Sequence, residues 1–219
     1  MYRVTPPWEW RVSFDNVVWV GADENEMNWR IGHNYLTVFP DLTAKRLLFA
    51  TPGKDASVWQ AFAAELLRHN GHPKALHDVA IDMSAAHVRG VSDNFGNGRV
   101  VYDKCYVIQN VVEACDQVQK AENRVNWTDK ETQKWDLTAP ERCMTSIAYE
   151  MRLVFQGIYE RKNAKQATKL YRNWCAWVQE VPEQTGVLLE PMARTARMVE
   201  ENLEVILAHW TRGLTTAFM

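Results

Sequence analysis

Two apolar, β-branched runs, each carrying an acidic residue near its end, constrain most strongly what this chain can fold into. The first run is Asn16–Glu24 (NVVWVGADE), which ends in Asp23 and Glu24, and the second is Asp78–Ser84 (DVAIDMS), which contains Asp82. Runs of this composition predict buried β-strands. Carboxylates at the ends of such strands lie where a sheet meets a crevice. If the two strands are neighbours, the two acids can reach one metal ion.

The remaining periodicity predicts a sheet whose strands alternate with helices. The predicted strands are Val17–Ala22, Asn34–Phe39, Arg46–Ala50, Val79–Met83 and Arg99–Tyr102, and the predicted helices are Ala56–Asn70, Ala85–Phe95 (with Ser84 as its N-cap) and Val107–Ala121. The first three strands form an antiparallel meander because only short turns separate them. Strands one, four and five are joined through helices and are expected to be parallel neighbours. This order is typical of an α/β fold with a ribonuclease-H-like five-stranded mixed sheet and flanking helices.

Beyond residue 122 the pattern is that of amphipathic helices. Three apolar stripes with the 3.6-residue period run through residues 144–158, 167–178 and 188–210, and Pro182 and Gly186 separate the last two. We therefore predict a tether in residues 1–11, a ribonuclease-H-like core in residues 12–122 and a C-terminal all-helical region in residues 123–219.

Charge and composition limit the possible classes of function. The net charge of −2 shows no general basic excess, so a nucleic-acid surface would have to be a local patch. No apolar run is long enough to span a membrane, and the N-terminus has no signal-peptide pattern. The four cysteines contain no CxxC pair, which indicates neither a zinc ribbon nor a disulfide framework. We expect a cytoplasmic protein with reduced thiols.

The densest basic run consists of Arg161, Lys162, Lys165, Lys169 and Arg172. On a helix these side chains fall partly on one face. An ordinary solvated face is favoured modestly over a contact with DNA phosphates, and both interpretations stay open.

Several separated motifs resemble the DDE domain of ISL3-family transposases. They are VGADE, RIGHNYLTVFPDLTAKRLLFATPGKD, VAIDMSAAHVRGV and RVVYDKCYVIQNVVEACDQV, together with the closing run EVILAHWTRGLTTAFM. The resemblance covers nearly the whole chain. It implies a ribonuclease-H-like fold in which residues 123–219 are a helical insertion region. It also implies DNA strand cleavage and transfer, with DNA as the partner and Mg²⁺ (or Mn²⁺) as the cofactor.

Carried over residue by residue, the resemblance makes Asp23 the first catalytic aspartate and Asp82 the second, both as metal ligands. The third family carboxylate is a glutamate in a Glu-Gly-Asn-like motif that follows a stretch like LTTAFM, so the sequence stops just before it at Met219. The fifth strand also departs from the family, because Asp103, Lys104, Cys105 and Tyr106 stand where the family reads Asp-Arg-Phe-His. For Asp103 we favour helix capping or structural hydrogen bonding.

Two functions are consistent with these features. The first is a transposase-derived DDE domain, truncated before its last acid, which binds its metal weakly and has little or no activity. The second is a repurposed, non-catalytic binding protein that acts through a protein or nucleic-acid partner. The intact Asp23 and Asp82 favour the first function by descent, since two-metal phosphoryl transfer requires hard oxygen ligands. The missing glutamate favours the second.

Overall fold

The computed structural model of the chain describes residues 14, 17, 19–28, 33–128, 143–185 and 187–212. The chain divides into two compact units, one of which ends its main segment at Asp103, while the other begins at Lys104. The predicted limit of the core at residue 122 falls inside a helix that continues to Thr128. The predicted tether lies outside the described residues. In the part of the chain that the structure describes, no helix is both long and apolar enough to cross a bilayer.

The first unit is built on a mixed sheet. Its described elements are β1 (Trp19–Gly21), β2 (Asp23–Asn28), β3 (His33–Asp41), β4 (Arg46–Pro52), α1 (Ser57–Arg68), β5 (Asp78–Ile81), α2 (Ala85–Asn94) and β6 (Arg99–Tyr102). Strands β1 and β2 form one bent strand along β3, because Val20 opposes Asp41 and Asp23 opposes Val38, three residues further along each strand. Strand β4 pairs with the other edge of β3, and β5 and β6 follow β1 in parallel. The order β4-β3-β1/β2-β5-β6 confirms the predicted ribonuclease-H-like sheet.

Strand β2 was not predicted from the sequence. Its residues, DENEMN, include none of the β-branched or aromatic side chains that favour strands. It is extended because β3 offers a full antiparallel ladder, from the pair Asp23–Val38 to the pair Asn28–His33. Asp23 therefore lies within a long bent strand and not at the end of one.

An aromatic cluster packs α1 against this sheet. Phe39 of β3 stacks on Phe62 of α1 with ring centroids 4.4 Å apart, and Trp59 meets Phe39 edge-on at 5.1 Å. All three side chains are fully buried. Aromatic pairs of this kind contribute about 0.5–1.5 kcal/mol each beyond the burial of their area.

Helices α1 and α2 approach each other closely because α2 has a glycine where they meet. The Trp59 indole N–H donates to Nδ1 of the buried His87 at 2.8 Å, so that nitrogen carries no proton. A Cβ added to Gly90 would lie 2.1 Å from Cδ1 of Trp59, which is less than any real carbon contact. Gly90 thus makes room for the indole ring that joins the two helices.

The second unit is helical in the part that the structure describes. It contains α3 (Lys104–Thr128), α4 (Met144–Ile158), α5 (Ala164–Thr185), α6 (Glu190–Glu201) and α7 (Leu203–Arg212). Helix α5 continues through Pro182, where the sequence predicted a break. The last predicted stripe is two helices, because the backbone at Asn202 leaves the helical conformation (φ −109°, ψ 16°). The Asn202 side-chain amide bonds to the Met198 carbonyl at 2.8 Å and so competes with the helix's own pattern.

Glu122 of α3 caps the first turn of α4. Its carboxylate accepts hydrogen bonds from the backbone N–H groups of Met144 (2.8 Å) and Thr145 (3.0 Å), from the Thr145 hydroxyl and from the Cys143 thiol (3.6 Å). Burial raises the pKa of the Glu122 carboxyl, but these bonds outweigh burial and hold the pKa below its ordinary value. Glu122 therefore satisfies N–H groups that have no partner within α4.

We predict that Gly90→Ala destabilises the protein by about 1–3 kcal/mol, because the new methyl group overlaps the Trp59 ring. Gly157→Ala, in α4, is the matched control. Nothing lies within 4 Å of a Cβ at that position, so the higher helix propensity of alanine should leave stability unchanged or raise it by up to about 1 kcal/mol. Urea unfolding followed by circular dichroism measures both. Equal stability of the two variants would contradict the packing described for α1 and α2.

We predict that Glu122→Gln lowers the free energy of unfolding by about 1 kcal/mol at neutral pH, the usual cost of weakening a helix cap. Because folding lowers the pKa of Glu122, its contribution is fully present above the unfolded-state value of about 4.5 and is lost as the pH falls through the lower folded-state value. The difference between variant and wild type should therefore shrink in acid. Glu150→Gln, at an exposed position of α4, is the control and should change little. A difference that grows as the pH falls would refute the assignment.

Candidate active site

The ladder between β1 and β5 ends two residues before each of the two predicted site residues. Gly21 opposes Ala80, and the Ala22 N–H donates to the Ala80 carbonyl at 2.9 Å. Asp23 and Asp82 each follow that pair by two residues. Adjacent strands lie about 5 Å apart, so the two backbones meet at the same level of the sheet.

Asp103 takes the corresponding position after β6. Ile81 opposes Tyr102, and the Asp103 N–H donates to the Ile81 carbonyl at 3.0 Å. The Asp103 residue is 1% exposed, whereas Asp23 and Asp82 are half-buried and open to solvent. An aspartate thus follows the last paired residues of each of the three parallel strands, and two of the three aspartates are accessible to solvent.

The backbone holds the Asp82 carboxylate in place. Its Oδ1 accepts the N–H of Ser84 at 2.9 Å, immediately before α2 begins. Ser84 occupies the N-cap position, as predicted, but its side chain makes no capping hydrogen bond. The Asp82 side chain therefore has a structural contact besides any part in chemistry.

Tyr102, the last residue of β6, is the neighbour that the sequence analysis missed. Burial raises the pKa of its phenol, and the charge of Asp82 raises it further. The phenol therefore keeps its proton near neutral pH. Only the register of β5 against β6 identifies this residue, since RVVY reads as an ordinary strand.

The accessible acids fit a hard divalent cation. Mg²⁺ prefers carboxylate oxygens and keeps several of its own waters, so two aspartates can hold it loosely. Within the described ranges, no group of three or more His, Cys, Asp or Glu side chains is arranged to hold a metal ion. Asp23 and Asp82 are thus candidate ligands for a loosely held divalent cation.

Comparison with known proteins bears on the chain as a whole. The family model DDE_Tnp_ISL3, described as "Transposase", matches residues 20–126 and 121–219. No curated protein matches. Among the solved structures, sixteen chains match. One belongs to the "CryoEM structure of simian T-cell lymphotropic virus intasome in complex with PP2A regulatory subunit B56 gamma", with 13% identity, a TM-score of 0.33, and coverage of 63% of this chain and 49% of that one. The chain thus spans about half the length of that solved chain.

We predict that the structural and the charge roles of Asp82 can be separated by substitution. Asp82→Asn keeps an oxygen that accepts the Ser84 N–H and should change stability by less than about 0.5 kcal/mol. Asp82→Ala removes the acceptor next to the start of α2 and should cost about 1 kcal/mol. Urea unfolding of both variants is the measurement. If Asp82→Asn is as unstable as Asp82→Ala, the hydrogen bond to Ser84 is not what Asp82 contributes to folding.

Proposed function

Because this chain belongs to the DDE_Tnp_ISL3 transposase family, we propose that it is a transposase-derived DDE domain that acts on DNA by divalent-metal-dependent phosphoryl transfer. The observation that supports the proposal is the parallel register of β1 and β5, in which Gly21 opposes Ala80, two residues before Asp23 and Asp82 respectively. The division into a core in residues 12–122 and a helical insertion region in residues 123–219 belongs to the same proposal.

The two aspartates have distinct tasks in this proposal. Asp23, the first residue of β2, and Asp82, the residue after β5, would hold the same Mg²⁺ or Mn²⁺ ion through their carboxylates. The Ser84 N–H orients Asp82 through Oδ1, which leaves Oδ2 as the oxygen that a cation meets. When bound, such an ion activates a water or a 3′-hydroxyl for attack and stabilises the leaving oxygen.

The Tyr102 phenol contributes to the charge balance around Asp82. Its raised pKa keeps it neutral, so it adds no negative charge next to Asp82. The buried Asp103 has a structural part, because its backbone N–H donates to the Ile81 carbonyl, next to Asp82. Neither residue is required to bind the ion.

The test is Mn²⁺ binding by the whole chain, followed by the electron paramagnetic resonance of free Mn²⁺. We expect Asp23→Asn and Asp82→Asn each to weaken binding by at least ~10-fold, since each removes one of two anionic ligands. Asp93→Asn, at an exposed position of α2, is the matched control because it removes one negative charge from the same unit. It should bind Mn²⁺ as wild type does.

Nicking of supercoiled DNA is the second readout for the same variants. We expect slow, Mn²⁺-dependent nicking at most, because the family resemblance calls for three carboxylates and the described residues contain no group of three that could hold a metal ion. Any nicking should disappear in Asp23→Asn. Binding or nicking that is indifferent to both substitutions would refute the site. A wild-type chain that binds no Mn²⁺ would refute the metal-dependent function and favour a non-catalytic binding role.

A further inference from the structure

Helix α5 divides its surface between a buried apolar face and an exposed basic face. The buried residues are Ala167, Tyr171, Trp174, Cys175 and Val178. Lys165, Lys169 and Arg172 are exposed, and their spacing of four and three residues puts them in one row on the opposite side of the helix. We infer that this row is a binding track for the phosphate backbone of duplex DNA. The inference rests on the proposed function for the choice of DNA.

The charge of this row is not neutralised within the described part of the chain. There, no carboxylate forms an ion pair with Lys165, Lys169 or Arg172, whereas Arg197 pairs with Glu190 at 2.6 Å. Neighbours three and four residues apart on a helix repel when their charges have the same sign. The row therefore carries a local positive field in a chain whose net charge is −2.

Lys165 adds to this field from an unusual position. It is the second residue of α5, whose first turn contains no acidic side chain. The N-terminal end of a helix is the positive end of its dipole, so a cation there opposes the dipole and an anion is favoured. The helix end and the row of cations thus attract the same kind of ligand.

The three cations also line one depression of the surface. Lys165, Lys169 and Arg172 line a shallow, open depression of about 330 Å³ together with Thr168 and Asn173. The Asn173 amide adds a neutral donor. Arg161 is not part of the row, because it precedes α5, which begins at Ala164; its guanidinium Nε donates to the Gly157 carbonyl at 3.3 Å.

The dimensions suit one strand of a duplex. Arg172 lies seven positions after Lys165, a rise of about 10 Å along the helix. Three long, flexible cationic side chains over that length can each contact a phosphate of one strand. A straight line of cations without an apolar pocket reads backbone charge and not base sequence.

The test is binding of a fluorescent duplex by the whole chain in EDTA, measured by anisotropy over a series of salt concentrations. The neutralised variant is Lys165→Gln/Lys169→Gln/Arg172→Gln. We expect its affinity to fall at least ~10-fold near physiological salt and the slope of log K against log[salt] to shrink by about 2–3, as for the loss of three phosphate contacts. The matched control, Lys120→Gln/Arg194→Gln/Arg197→Gln, removes the same charge from exposed positions of the same unit. It should keep the wild-type affinity and slope.

Thermal unfolding separates a binding role from a folding role. Because the three cations repel one another, the neutralised variant should be at least as stable as wild type, although its affinity for the duplex falls. Lys165→Arg/Lys169→Arg keeps the charge and should retain binding. Wild-type affinity in the neutralised variant, an equal loss in the control, or failure of the wild type to bind duplex would each overturn the inference. Binding of fluorescent poly-glutamate is measured in the same way. If the neutralised variant binds poly-glutamate more weakly but binds the duplex as wild type does, the face would be assigned to an acidic protein and the inference overturned.

The outcome is independent of the metal site. EDTA removes divalent ions, so duplex binding in this test does not depend on a metal held by Asp23 and Asp82. If the neutralised α5 variant keeps the wild-type affinity for the duplex, the Mn²⁺ result is unaffected. Failure of the Asp variants to lose Mn²⁺ would refute the nuclease site while the α5 result remained as measured.

Discussion

Strand β1 takes part in two ladders at once, and the geometry of the candidate site depends on both. Val20 opposes Asp41 of β3 on one edge and Val79 of β5 on the other, and it is fully buried. Burying a valine contributes about 1.5–3 kcal/mol, and a slip of one residue would turn every side chain to the opposite face. The register of β1 against β5 is therefore strongly fixed, up to the pair Gly21–Ala80 that precedes Asp23 and Asp82 by two residues.

The aromatic core also fixes the position of α2 relative to the sheet. Trp59 touches Phe39 of the sheet, bonds to His87 and fills the space left by Gly90. Its ring thus links β3, α1 and α2 through contacts that are all buried. The start of α2 lies two residues after Asp82, whose carboxylate bonds to the backbone there. The position of this acid is held from both sides, by the strand before it and by the helix after it.

How much the sequence could predict depended on whether local composition and tertiary pairing agreed. They agree in β6, which was predicted at Arg99–Tyr102 as the structure has it, and in the parallel pairing of β5. They disagree in β2, where the polar run DENEMN is extended only because β3 pairs with it. Likewise, periodicity alone runs past Asn202, where a side-chain amide ends one helix. The sequence and the family resemblance named Asp23 and Asp82. Tyr102 could not be found, because its relation to Asp82 exists only in the pairing of strands.

Each of the two charged features collects charges of one sign on a well-packed framework. Asp23 and Asp82 each follow the last pair of the β1–β5 ladder by two residues, and α5 lines up three cations on one face. Neighbouring cations on α5 repel one another, and the apolar contacts beneath the helix offset that cost. In the two proposals a divalent cation would meet the aspartates and a row of phosphates would meet the cations, since each ligand carries the opposite charge. The two proposals thus name the metal and the DNA of one reaction.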